Sequence, residues 1–100
     1  MNILKLQNGK LELRKENGSL IRTIASSHVI AADLNSDQSL IVLTLENGKV
    51  ELRKENGSLV RTIVSSHAVG CKWNGENIAV NTDKGKTEIR KENGSLIRTI

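Results

Sequence analysis

Two histidines, one cysteine, one tryptophan and three copies of an Arg-Lys pair are the side chains of this sequence with chemistry to offer. His28 and His67 each follow a Ser-Ser pair and lie 39 residues apart. As metal ligands they would need partners at short spacing, and the sequence holds no Cys-x-x-Cys and no His-x-x-x-His. They read as turn residues that hydrogen-bond the next structural unit. Cys71 would need a base within reach to act as a nucleophile. It stands where a neighbouring repeat has Ala32, and so reads as a small buried hydrophobe. Trp73 stands at the Leu34 position and reads either as a stacking platform for a base or sugar, or as core filler. No pair of carboxylates falls at equivalent inward positions, and no Ser-His-Asp set can be placed. The expectation is a protein that is not an enzyme and carries no cofactor or metal.

Arg14-Lys15, Arg53-Lys54 and Arg90-Lys91 recur inside a longer phrase. It runs GKLELRKENGSLIRTI from Gly9, GKVELRKENGSLVRTI from Gly48 and GKTEIRKENGSLIRTI from Gly85, with starts 39 and then 37 residues apart. A period near 40 marks a stacked array of β units. Displayed once per unit, the basic pairs are candidate contacts for a partner protein or an anionic polymer. The competing reading is salt bridging between sheets, because Glu12, Glu16 and their repeats sit beside the cations. Without stacking aromatics, nucleic acid is not the expected partner. The Lys-Glu-Asn tripeptide in each copy matches a eukaryotic degradation box but falls on a hairpin shoulder.

The chain has 100 residues, 37% of them hydrophobic and 26% charged, with one Trp, no Phe, no Tyr and no Pro. The core must therefore be aliphatic. The net charge of +4 follows from triplication, since the phrase is basic and the rest of the sequence is slightly acidic. No apolar run approaches the roughly 20 residues that span a membrane, and the first nine residues lack the pattern of a signal peptide. One Cys fits a reducing, cytoplasmic setting.

Six of the eight glycines follow an Asn, the strongest short-range hairpin signal. Treating Asn8-Gly9, Asn17-Gly18 and Asn47-Gly48 as two-residue loops fixes a register. It places Leu4, Leu6, Leu11, Leu13, Leu20 and Ile24 on one face of a first three-stranded unit. The second unit then shows Leu43, Leu45, Val50, Leu52, Leu59 and Ile63, and the third Val80, Thr82, Thr87, Ile89, Leu96 and Ile100. Lys5 faces Glu12 as a cross-strand pair. A further strand begins at His28 and at His67, giving eleven strands in units 1–24, 25–63 and 64–100.

The segment SSHVIAADLNSDQSLIVLTLENGKVELRKENGSLVRTI resembles one blade of a WD-repeat-like β-propeller. His28 and His67 stand where that family has a Gly-His pair, and Asn47-Gly48 matches its tight turn. The signature Trp-Asp is replaced by Arg-Lys, so the family's polar network is not carried over. The resemblance implies an all-β fold of antiparallel four-stranded blades, a partial β-propeller. Fewer than three complete blades fall short of the roughly four to eight of a closed ring. Homo-oligomerisation is the expected remedy, with a dimer giving six blades. On such a ring Asp33 and Lys72 would line the central channel. The alternative architecture is a threefold β-trefoil or β-prism monomer. The phrase faintly resembles bulb-type mannose lectin repeats, but their Gln-x-Asp-x-Asn-x-Val-x-Tyr run is absent.

The function expected is a non-catalytic scaffold that self-assembles into a ring and mediates protein interaction. The alternatives are a module for an anionic polymer, a lectin-like sugar binder, or a repeat protein with no selected ligand.

Overall fold

The computed structural model describes all residues from Met1 to Ile100. It contains eleven strands and no helix. β1 (Asn2–Gln7), β2 (Lys10–Lys15) and β3 (Leu20–Ala25) form one sheet. β4 (Val29–Leu34), β5 (Leu40–Leu45), β6 (Val50–Lys54) and β7 (Leu59–Val64) form a second. β8 (Ala68–Asn74), β9 (Asn77–Thr82), β10 (Thr87–Arg90) and β11 (Leu96–Thr99) form the third. Each sheet is an antiparallel meander whose strands keep their sequence order. Four-stranded sheets stacked face to face are the blades of a propeller segment, and the first blade has three strands.

The turns explain the meander. Asn8 (φ 53°) and Gly9 (φ 80°) are both left-handed, as a two-residue type I′ loop requires. The other Asn-Gly hairpins differ from that expectation. At Asn17-Gly18 only the glycine is left-handed, and Gly18 N–H donates to Lys15 O at 2.9 Å. The loop therefore holds three residues, a type I turn closed by a glycine bulge. Asn47-Gly48, Asn56-Gly57 and Asn93-Gly94 repeat it. Asn is favoured there because its carboxamide oxygen accepts the N–H two residues on, at 2.9 Å for Asn17 to Ser19 and 3.0 Å for Asn47 to Lys49.

The extra loop residue corrects the register. In the first blade Leu4 faces Leu13 and Leu6 faces Leu11, as the sequence predicts. In the second blade Val42 faces Leu52 and Thr44 faces Val50. Leu43 and Leu45 thus lie on the face opposite to the predicted one. The third blade shows the same slip, with Ala79 against Ile89 and Asn81 against Thr87. The predicted sets failed because β5 reads Leu-Ile-Val-Leu-Thr-Leu, apolar on both faces, so alternation does not discriminate. Leu20, Leu59 and Leu96 fall outside the core and are exposed.

The middle blade is apolar on both sides because it is covered on both sides. Between the first and second blades, Leu11, Leu13 and Ile24 pack on Val29, Ile41 and Leu43. Between the second and third, Val42, Val50, Leu52 and Ile63 pack on Ala68, Cys71, Ile78 and Val80. Burying each large aliphatic contributes about 1.5–3 kcal/mol. Burial pushes the Cys71 thiol up to about 11, so it stays protonated at neutral pH as an inert packing group. Thr44 Oγ1 beside it is buried without a well-formed hydrogen bond.

Consecutive blades are also latched by backbone. Val29 N–H donates to Gly9 O and Ala68 N–H to Gly48 O, each at 3.0 Å. The chain of the next blade runs so close over these turns that a Cβ on Gly9 would sit 2.9 Å from His28 N, and one on Gly48 would collide with His67 N. Gly85, at the equivalent turn of the third blade, has nothing within 4 Å. Both Gly48 and Gly85 are left-handed, so either substitution by Ala carries the same backbone penalty of about 1–2 kcal/mol. Only Gly48→Ala adds the collision. Urea unfolding is expected to show Gly48→Ala clearly less stable than Gly85→Ala; equal losses would show that the latch does not constrain the turn.

Candidate functional site

Each junction between blades carries a groove made by the linker into the inner strand. After β3 the chain reads Ser26-Ser27-His28, and after β7 it reads Ser65-Ser66-His67. His28 (φ 69°) and His67 (φ 71°) are left-handed, which is uncommon for residues with a Cβ. The bend aims the following N–H at the preceding blade, where it forms the latch. It also aims the histidine carbonyl at its own blade: His28 O accepts Glu46 N–H and His67 O accepts Asp83 N–H, both at 2.8 Å. The rings follow the same path, with His28 Nδ1 2.6 Å from Glu46 Oε2 and His67 Nδ1 3.2 Å from Asp83 Oδ2. Two backbone bonds and a ring–carboxylate contact offset a strain of order 1–3 kcal/mol.

The groove at the first junction encloses about 780 Å³, with Ile24 and Leu45 as apolar lining and Ser27, His28, Asn47 and Arg53 as polar lining. The second, of about 350 Å³, repeats it with Ile63, Ser66, His67, Thr82 and Arg90. A third hollow of about 370 Å³ lies on the open face of the first blade, beside Lys5, Gln7, Glu12 and Arg14. It is the same site without the wall that a preceding blade would supply. The grooves offer hydrogen-bonding side chains over an aliphatic floor. They hold no cluster of three metal-binding side chains. Each histidine ring is hydrogen-bonded to a carboxylate, not to a serine hydroxyl.

The six repeated cations divide into two kinds. Arg14 Nε and Nη2 donate to Glu12 Oε1 at 2.9 and 2.7 Å, while Nη1 donates to Gly18 O at 2.6 Å. Arg53 makes the same three bonds to Glu51 and Gly57, and Arg90 pairs with Glu88 and Gly94. The clamp ties a strand to its own hairpin rather than bridging two sheets, which corrects the expected inter-sheet pairing. Alternation accounts for it, because residues two apart share a face. Lys15, Lys54 and Lys91, one residue on, point away and are exposed without an acidic partner. Lys5 does lie opposite Glu12, as predicted, but Glu12 pairs with Lys10 and Arg14 instead. The hydrogen bond from Arg14, reinforced by Lys10, holds the Glu12 carboxyl below the usual carboxylate range.

Asp33 and Lys72, equivalent in sequence, behave differently. Asp33 Oδ2 accepts Trp73 N–H at 2.8 Å, and Asp33 O accepts the indole N–H at 3.2 Å. Asp33 therefore fastens β4 to β8, and Trp73 is packed against the core between the second and third blades. The indole is half-buried there. Lys72 is exposed. The histidine–carboxylate contacts and the glycine latches were not anticipated in detail, although Ser-Ser-His with an acid 16 to 18 residues later is a readable repeat.

Arg53→Ala would strand the Glu51 carboxylate, which is only 8% exposed. Denaturation is expected to show a loss of about 1–3 kcal/mol; an unchanged midpoint would mean the clamp is not structural. The Glu12 shift has a defined sign. Its folded-state pKa is depressed, so its stabilisation is complete above the ordinary carboxylate range and is lost as pH falls through the lower folded value. Acid titration of Glu12→Gln should therefore show less stability lost below the carboxylate range than the parent; identical acid profiles would contradict the pairing.

No family model matches the sequence, and no curated protein matches it. The structure does find counterparts. BamB from Moraxella catarrhalis superposes with a TM-score of 0.77 at 12% identity, over 99% of this chain and 32% of that one. The C-terminal WD40 domain of Sif2 gives 0.73 at 16% identity, over 98% and 30%. The Neurospora crassa Pan2 WD40 domain gives 0.74 at 17% identity, over 99% and 32%. This chain thus spans about a third of the length of the solved structures it matches. At such identities the likeness concerns architecture: the chain has the fold of a WD-repeat-like β-propeller segment.

Proposed function

We propose that the chain is a non-catalytic propeller scaffold that closes into a ring with a second copy and offers its junction grooves to a protein partner. The observation that carries this reading is that the groups building the internal junctions recur, uncovered, on the two outer faces. Ile24 and Ile63 are each 5% exposed where the next blade covers them, whereas the equivalent Ile100 is 74% exposed. Gly9 and Gly48 meet the next blade, and the equivalent Gly85 meets nothing. On the other side, Ile41 and Ile78 are fully buried against a preceding blade, and the equivalent Ile3 is 46% exposed. The third blade's outer face and the first blade's outer face are thus two halves of one junction. A heterologous contact of this kind forms a ring when its rotation closes, and two copies would supply six blades.

The copy-to-copy junction is more polar than the internal ones. Asn77, Asn81 and Thr87 replace Leu40, Thr44 and Val50, while Lys5 and Gln7 replace Leu43 and Leu45. Association is therefore expected to be reversible, with hydrogen bonding selecting outer face against outer face. The partner reading rests on the grooves, whose mixed lining suits a short polypeptide segment better than an anionic polymer, since Arg14, Arg53 and Arg90 are already clamped to Glu. A cytoplasmic, reducing setting accords with a buried thiol.

Light scattering across a concentration series tests the assembly. A two-chain particle is expected at high concentration. Ile89→Asp on one outer face, or Ile3→Asp on the other, is expected to return it to 11.0 kDa with the β-sheet circular dichroism retained. A particle of 11.0 kDa at every concentration would reject the ring.

A further inference from the structure

The first blade has an open inner edge. In the second blade β4 pairs with the inner side of β5, and in the third β8 pairs with that of β9. β1 is the counterpart of β5 and β9 but pairs with β2 alone. Apart from Asn2 N–H, which donates to Gln38 Oε1 at 3.0 Å, one row of its backbone donors and acceptors is therefore free, with β4 packed alongside. We infer that this edge is a seat for an extended, acidic–aliphatic segment of a partner polypeptide, which adds antiparallel to β1 as a fourth strand.

The chemistry of the occupant is set by what the filled seats hold and by what the empty one changes. Opposite Ile41 and Ile78 stand Leu34 and Trp73, so the residue opposite Ile3 should be a large apolar one. Opposite Val42 stands Asp33, whose carboxylate reaches forward to Trp73 N–H of the next blade. At the first junction the corresponding donor is Leu34 N–H, and it is left to its own neighbour, Asp33 Oδ1, at 3.1 Å. A strand carrying an acid opposite Leu4 would supply the missing acceptor. Opposite Leu43 and Val80 stand Ala32 and Cys71, a small and a buried apolar pairing. The first blade has Lys5 at that place, exposed and without an acidic partner. A second acid opposite Lys5 is therefore favoured. The seat thus selects acid, acid, large apolar in consecutive positions of an extended strand. Ring closure by a second copy leaves this edge open, because the last strand of each copy is an outermost one, so the inference stands apart from the assembly proposed above.

The probe is a synthetic peptide with the sequence of residues 27–36 of this chain, which already forms such a strand on β5, and its Ala32→Glu version. Amide hydrogen exchange read residue by residue over Asn2–Gln7 is expected to slow on adding either peptide, saturating at one per chain. The Ala32→Glu peptide should bind about two- to five-fold more tightly, the effect of one cross-strand ion pair. That advantage should vanish on a Lys5→Glu chain. A peptide with Asp33→Asn should bind more weakly, and one with Pro in place of Ala31, whose N–H faces the paired strand, should not bind, since Pro cannot donate to the ladder. No slowing at millimolar peptide, or equal slowing by the Pro peptide, would overturn the inference. So would protection of these amides without peptide that grows with protein concentration, because a second copy would then occupy the edge. Light scattering on the same samples separates the two ideas. Peptide binding by a single-chain particle supports the seat while rejecting the ring, and a two-chain particle that ignores the peptide does the reverse.

Discussion

Two hydrogen bonds between blades, Val29 N–H to Gly9 O and Ala68 N–H to Gly48 O, set the constraint on which the rest of the fold turns. Each forces a glycine into the hairpin of the blade below, because no Cβ fits under the passing chain. Each forces a left-handed histidine into the chain above, because only that bend presents the following N–H. The histidine carbonyl is then delivered to the next strand, and its ring to Glu46 or Asp83. Aliphatic packing supplies most of the favourable free energy, as in any small domain. Packing alone is non-directional, and the latch fixes how far and at what angle one sheet lies over the next.

The same repetition explains the grooves. A junction that always begins with Ser-Ser-His and always meets an Asn-Gly or Lys-Gly hairpin leaves the same hollow each time. Where a blade has no predecessor, the hollow persists as an open shelf beside Lys5 and Arg14. The outer faces differ from the inner ones in polarity rather than in shape, with Asn81 and Thr87 hydrogen-bonded to each other at 2.9 Å where the middle blade has Thr44 and Val50. Polar outer faces are what repeat arrays use to stay soluble when a neighbour is absent.

Much of this was legible in the sequence, and the failures have physical causes. The eleven strands, their grouping into three sheets and the pairing of β1 with β2 follow from Asn-Gly turns and from alternation in Leu4, Leu6, Leu11 and Leu13. Alternation carries that information only when one face is wet. β5, covered on both sides, is apolar throughout, and the one-residue difference between a type I′ loop and a type I turn with a bulge then goes undetected. The pairing of Glu12 with Arg14 is readable from a spacing of two, yet directly opposed charges on adjacent strands, Lys5 and Glu12, compete with it in the sequence. The bond from Asp33 to Trp73 joins residues 40 apart and depends on the angle between two blades, which no local pattern encodes.

Residue-resolved hydrogen exchange on the unliganded protein tests the latch most directly. The account predicts that the Val29 and Ala68 amides, each the first residue of its strand and otherwise expected to fray, exchange as slowly as amides in the centre of β5 and only through global unfolding. Rapid exchange at Val29 and Ala68 while β5 stays protected would contradict it, and would leave apolar contact and the Asp33–Trp73 bonds to hold the blades.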